Sequence, residues 1–153
     1  MCKIIYAYHG EEVLVDDKDY EMLSHYRWHT RKGYAMRNAG LGRKKGMVYD
    51  ILGIESQKGM FVDHINGNTL DNRRANLRLV TPKENARNKA PHKDTSSKYV
   101  GVYLNKRGAS RGAEHPWKWT ITGSCATEEE VARERDRVAK FAFGSYTRLN
   151  FPE

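Results

Sequence analysis

The stretch VDHINGNTLDNRRANLRLVTPKENARNK, Val62 to Lys89, decides how the rest of the chain is read. It holds an Asp-His pair, Asn66, Asn68, Asn72 and Asn76 before a proline, Asn85 and Asn88 after it, and four arginines. Asparagine is poor in helices and in strands, so this crowding of short amides adds little to regular structure. The stretch divides by its own signals. "MFVDHI" is an extended run, "NGNTLDN" a loop of turn residues, and "NLRLVT" a second extended run. "PKENARNK" opens a helix with Thr81 as N-cap, Pro82 in first position and Glu84 three residues after the cap. A hairpin laid on a helix in this order can bring Asp63, His64 and Asn85 together. A carboxylate and an amide oxygen are hard ligands, suited to magnesium or manganese and not to zinc. His64 beside them, neutral near pH 7, has the chemistry to take a proton from water.

Composition sets the setting for that site. The 153 residues suffice for one ordinary domain or two small ones. The net charge of +8 divides into +3, +2 and +3 over residues 1–45, 46–97 and 98–153. An even spread argues for a long, weakly positive surface, which binds a polyanion such as DNA through counterion release, or else for a protein that is merely basic. Cys2 and Cys125 supply neither a disulfide framework nor a zinc site, and no apolar run approaches a membrane span or a signal peptide. A cytoplasmic setting is the expectation.

Upstream, "KIIYAY" and "EVLV" read as strands joined by a turn at His9-Gly10, and Asp16 or Asp17 is placed to cap the helix that follows. "RWHTRKGYAMRN" alternates as a hairpin turning at Lys32-Gly33, and "MVYDILGI" is a short apolar helix. "APHKDTSS", residues 90–97, reads as a linker. Beyond it come two strands, "YVGVYLN" and "WKWTIT". The last helix carries a Thr127–Glu130 capping box, Gly144 at its C-cap, and a mostly apolar face of Val131, Ala132, Val138, Ala139, Ala142 and Phe143 that Arg135 interrupts. His9, His25, His29, His92 and His115 show no ligand spacing.

With these residues in view, the central segment resembles the His-Asn-His (HNH) endonucleases in their homing branch from phages and mobile introns. The resemblance rests on Asp63-His64, on Asn76 thirteen residues after Asp63, and on Asn85 nine further, where an asparagine replaces the family's last histidine. It implies a one-metal phosphodiesterase acting on double-stranded DNA, with one Mg²⁺ or Mn²⁺ per active site. Asp63 and Asn85 would hold the ion, His64 would be the general base, and Asn76 would hold the loop and orient His64. Arg73, Arg74, Arg78 and Arg87 would contact phosphates. Relatives carry a His-Arg pair where this chain has Tyr49-Asp50.

The second half resembles the plant APETALA-type (ethylene-response-factor) DNA-binding domain, through Tyr99, Gly101 and Val102, Trp119, the Thr-Glu-Glu helix start, Phe143-Gly144 and the closing "LNFP". Plant members carry arginines on the first strand, where this chain has Val100, Tyr103 and Asn105, and residues 121–127 are too few for the usual third strand and turn. The DNA-facing residues expected here are Tyr103, Asn105, Lys106, Arg107, Lys118, Thr120 and Thr122, with Trp119 in the core.

The expected fold class is therefore α+β. A nuclease domain over 1–89 would contain a ββα-metal (His-Me finger) motif at about 60–89. A linker over 90–97 would lead to an APETALA-type domain over 98–153, a small sheet packed on one helix. The expected function is a metal-dependent DNA endonuclease of homing type, monomer or homodimer. A DNA-binding regulator with an inactive nuclease half and a structure-selective phage nuclease are the alternatives.

Overall fold

A computed structural model of the chain describes residues 1–88, 95–105, 117–119, 124–125 and 127–152, with the backbone alone at 117–119, 124 and 125. It divides into two compact units, Met1–Asn85 and Ala86–Glu153.

The first unit begins with β1 (Cys2–Tyr6) and β2 (Glu12–Asp16), paired antiparallel, followed by α1 (Asp17–Ser24). On β2 the alternation is clean: Val13 and Val15 are fully buried while their neighbours are not. β3 (His29–Arg31) and β4 (Tyr34–Asn38) form the expected hairpin, which β5 (Lys44–Gly46) extends, and α2 (Met47–Leu52) follows. One core joins these pieces: Val13, Val15, Leu23, Trp28, Met47, Ile51 and, from the central stretch, Leu77. The Trp28 indole N–H reaches the Leu23 carbonyl at 2.8 Å, so the ring is buried with its polar edge satisfied.

The β3–β4 turn has positive φ at both central residues, Lys32 (51°) and Gly33 (83°), the pairing that matches strand twist. A Cβ on Gly33 would stand 3.3 Å from Thr69 Oγ1, whose hydroxyl donates to the Gly33 carbonyl at 2.7 Å. Gly33→Ala is expected to cost about 1–2 kcal/mol from the left-handed backbone alone, read as a lower urea midpoint at unchanged slope.

Tyr49-Asp50, the departure from the His-Arg pair, has a structural role in this chain. The half-buried Asp50 carboxylate takes two bonds from the Arg37 guanidinium, at 2.5 and 2.9 Å, and lies 3.2 Å from Lys45 Nζ. Burial pushes the Asp50 carboxyl up, but the Arg37 and Lys45 bonds outweigh it and hold the group below its ordinary 3.8. A depressed folded pKa means that the unfolded chain binds the extra proton first. The pair therefore contributes fully above about pH 4 and is lost as pH falls through the lower folded value. The stability gap between the wild type and Asp50→Asn is expected to narrow in urea titrations carried from pH 7 down to pH 3.

The central stretch forms β6 (Phe61–His64), a loop closed by a 3-10 turn at Arg74–Asn76, β7 (Leu77–Val80) and α3 (Pro82–Arg87). β6 and β7 pair antiparallel with Asp63 opposite Arg78 and His64 opposite Leu77. The expected Thr81 cap is present, with Glu84 Oε2 accepting from the Thr81 N–H at 2.8 Å.

One expectation near α1 is corrected. Asp16 occupies the N-cap position without capping. Its carboxylate instead accepts the Arg74 backbone N–H at 2.8 Å, while Asp19 grips the Arg74 guanidinium twice at 2.8 Å.

The second unit has a sheet of β8 (Val102–Leu104), β9 (Trp117–Trp119) and β10 (Ser124–Cys125), antiparallel in the order β10-β9-β8. The third strand corrects the sequence reading, which found too little chain for it. Two residues suffice, Ser124 opposite Lys118 and Cys125 opposite Trp117. Against the sheet lies α4 (Glu128–Phe143), with its capping box formed as read. Val131 and Ala132 are buried with Val102, and Tyr99, Val138 and Phe151 pack around them. Ala142, expected on this face, is exposed. Asp136 is buried and accepts the Asn150 and Phe151 backbone N–H groups at 2.5 and 2.9 Å, so it ties the closing "LNFP" to the helix.

Residues 95–97, the end of the expected linker, are bonded into this unit. Ser97 is buried and its Oγ accepts the Tyr99 N–H, while Ser96 Oγ accepts the Leu104 N–H. Residues 90–94 of that linker, together with Lys106, Arg107, Thr120 and Thr122, lie outside the described residues.

Candidate active site

The amides of the central loop are scaffolding. Asn66 Oδ1 accepts the Asn68 N–H at 2.8 Å, and Asn68 Oδ1 accepts the Leu70 N–H at 3.1 Å, so side chains replace a backbone ladder through the turn. Asn76 closes the loop from the far side. Its Oδ1 accepts the Asn66 N–H at 2.9 Å, and its Nδ2 donates to Asn66 Oδ1 at 3.0 Å and to the Asp71 carbonyl at 2.8 Å. Asp71, 1 % exposed, takes bonds from Asn66 and from the Arg73 guanidinium.

A second fastening comes from the start of the chain. The outer edge of β2 bridges the loop in parallel at Leu14 and Asp71. Leu14 N–H donates to the Leu70 carbonyl at 2.9 Å, and Asn72 N–H donates to the Leu14 carbonyl at 2.8 Å. Together with the Arg74 contacts to Asp16 and Asp19, this makes the N-terminal hairpin a buttress of the loop. The interaction spans more than fifty residues of chain, and no local pattern announces it.

His64 ends β6 and is 3 % exposed. Its Nε2 stands 3.1 Å from Asn72 Oδ1, and its ring lies 6.0 Å from the half-exposed Tyr34 ring on the β3–β4 hairpin. Burial pulls the imidazole below its ordinary 6.5, against the opposing pulls of the Asn72 bond and the Asp63 and Asp71 charges. The ring is thus neutral at pH 7, the state a general base needs. The sequence reading gave Asn76 two tasks, holding the loop and orienting His64. Its loop bonds are present, and the amide that touches the ring is Asn72.

Asp63, 8 % exposed, projects its carboxylate to Arg78 across the β6–β7 ladder, with Oδ2 at 3.0 Å from Nε and 2.8 Å from Nη2. Asn85 sits half-buried on α3, its backbone N–H bonded to the Thr81 carbonyl at 3.0 Å. Among the described residues no group of three or more His, Cys, Asp or Glu side chains gathers as a metal cluster. A metal set built here would combine the one carboxylate of Asp63 with amide oxygen, hard donors that fit a divalent cation of the magnesium or manganese kind.

The arginines read as phosphate contacts each have a partner within the chain. Arg73 is on Asp71, Arg74 on Asp19, and Arg78 on Asp63. The Arg87 guanidinium lies 4.0 Å from the centre of the Phe143 ring, inside the second unit. In that unit Tyr103 is exposed, Asn105 is half-buried, and the ladder sets Tyr103 opposite Lys118.

Comparison with known proteins points to one family. A family model described as HNH endonuclease matches residues 53–87, the segment that contains Asp63, His64, Asn72, Asn76 and Asn85. A protein described as an uncharacterized HNH endonuclease of Acanthamoeba polyphaga mimivirus is 29 % identical over 92 % of this chain and 75 % of its own length. A candidate HNH homing endonuclease from the SPbeta prophage of Bacillus subtilis (strain 168) is 44 % identical over 43 % of this chain and 34 % of its own length. Protein 3.8 of Escherichia phage T7 is 33 % identical over 60 % of this chain and 69 % of its own length. No solved structure matches.

Proposed function

The chain belongs to the HNH endonuclease family, and from that premise we propose that it is a divalent-metal-dependent nuclease of homing type, cutting double-stranded DNA at a ββα site. The observation that carries this reading is His64, an imidazole 3 % exposed at the end of β6, held at Nε2 by Asn72 and with its pKa pulled by burial below its ordinary 6.5. Asp63 and Asn85 would hold the cation, which would supply Lewis-acid stabilisation of charge on the phosphate and the departing 3′ oxygen. His64 removes the proton of the attacking water, and Asn76 keeps the loop closed behind it.

The second unit serves as the anchor on DNA. Its three-stranded sheet packed on one helix supports an APETALA-type arrangement, with Tyr103, Asn105 and Lys118 on or beside the sheet as DNA contacts. One active site cuts one strand, so a monomer nicks, and cutting both strands takes a homodimer or two events. Among the described residues no helix is long and apolar enough to cross a membrane. A phage-encoded nuclease of this kind works in the host cytoplasm.

The test is supercoiled plasmid incubated with Mg²⁺ and with EDTA. Nicked circles with the metal and none with chelator are expected. No nicking with Mg²⁺ or Mn²⁺ would favour a DNA-binding regulator. Cuts mapped to a few positions support the homing role, and scattered cuts oppose it.

A further inference from the structure

We propose that the β3–β4 turn is a phosphate clamp for the DNA strand lying over His64, with Arg31 supplying the charge and the Tyr34 hydroxyl a second donor. The inference rests on the reading of the site around His64 as the place where DNA is met, and three observations support it. The first is the placement of Tyr34. Its ring centre lies 6.0 Å from that of His64, yet the residue is 46 % exposed, so the ring stands beside the imidazole and still reaches solvent. Its hydroxyl has no hydrogen-bond partner among the described residues.

The second is the register. Arg31 pairs with Tyr34 across the hairpin, and directly opposed residues of an antiparallel pair project from the same face. The next pair, Thr30 and Ala35, turns to the other side, where Ala35 is 4 % exposed in the core. Arg31 therefore shares the face from which Tyr34 meets His64. Its guanidinium is exposed and makes no ion pair or hydrogen bond with the described residues. Arg73, Arg74 and Arg78 are each held by a carboxylate. A guanidinium without such a partner takes a phosphate with no ion pair to break. The third is the fastening of the turn. The Thr69 hydroxyl donates to the Gly33 carbonyl at 2.7 Å, and Thr69 belongs to the loop between His64 and Asn76. The clamp is thus tied to the loop that carries the site.

The test is binding of the full chain to a fluorescent DNA duplex in EDTA over a series of salt concentrations. Arg31→Ala is expected to weaken binding about 10-fold at low salt and to reduce the slope of log Kd against log salt by about 1. Arg31→Lys keeps the charge and is expected to keep the slope. Arg137→Ala removes the same charge from an exposed ion pair with Glu134 on α4 and is expected to leave the slope as it is. An unchanged slope in Arg31→Ala would overturn the proposal, and so would an equal fall in Arg137→Ala, since net charge alone would then account for it. Tyr34→Phe is expected to weaken binding about 3-fold in the wild type and to add nothing to Arg31→Ala, because the two groups share one phosphate. Losses that add independently would overturn the shared clamp. Unchanged urea midpoints confirm that the variants are folded. Because binding is read without metal, a wild type that binds duplex and never nicks plasmid with Mg²⁺ or Mn²⁺ would sink the nuclease reading and leave the salt slopes to decide the clamp.

Discussion

His64→Ala is expected to lower DNA cleavage by about 10²- to 10⁴-fold, the range a positioned base contributes, while the protein stays folded and still binds duplex DNA in EDTA. The ring is buried, with Nε2 bonded to Asn72 Oδ1 and the Tyr34 ring centre 6.0 Å away, so its environment is partly polar. Circular dichroism and a gel-shift assay separate lost chemistry from lost structure. A variant that keeps its rate would show that some other group takes the proton. A variant that unfolds would show that His64 is a structural residue first.

Asp63→Ala is expected to do two things at once, and a second substitution separates them. Cleavage should fall at least about 10²-fold, as when a group that stabilises transition-state charge is removed. Stability should also fall, by about 3 kcal/mol, because Arg78, only 12 % exposed, loses the carboxylate it shares a buried pair with. Asp63→Asn keeps an acceptor of the same shape and should lose less stability. Asp63→Ala combined with Arg78→Ala should recover much of the stability and none of the activity. Should the double variant recover cleavage, the carboxylate would be holding Arg78 alone, with no part in holding a cation.

The Arg78 pair also bears on how DNA is met. Arginines already committed to carboxylates make poor phosphate clamps unless DNA displaces the partner. On the proposed function, DNA binding would draw on the chain's distributed positive charge, and a steep fall in affinity with salt is the expected sign of that.

Much of the fold is legible in the sequence because it is written in local signals. Alternation marks β2, Lys32-Gly33 marks the hairpin, and Thr81-Pro82 and Thr127–Glu130 mark the helix starts. Asp63 and His64 are legible as a pair because their chemistry and their spacing to Asn76 and Asn85 are distinctive. What stayed hidden is long-range or degenerate. Four asparagines precede the proline, and nothing in their order shows that the one at 72 meets the imidazole while the others at 66, 68 and 76 bond the loop. The grip of Asp16 and Asp19 on Arg74 looks in sequence like helix capping, since acids at a helix start ordinarily have that task. Asp136 carries no local signal in the sequence, yet it is the acceptor that fastens the final residues. A two-residue strand such as β10 leaves too short a pattern to detect.

The central claim is that Asp63 and Asn85 grip one divalent cation with His64 beside it. It is tested most directly by crystals of the chain with duplex DNA, soaked in Mn²⁺ and examined by anomalous diffraction. The expected result is a single peak within about 2.0–2.3 Å of an Asp63 carboxylate oxygen and of Asn85 Oδ1, with the scissile phosphate against it and the His64 ring facing the line of attack. A peak held by other residues, or Asn85 turned away from an ion that Asp63 binds, would contradict the account.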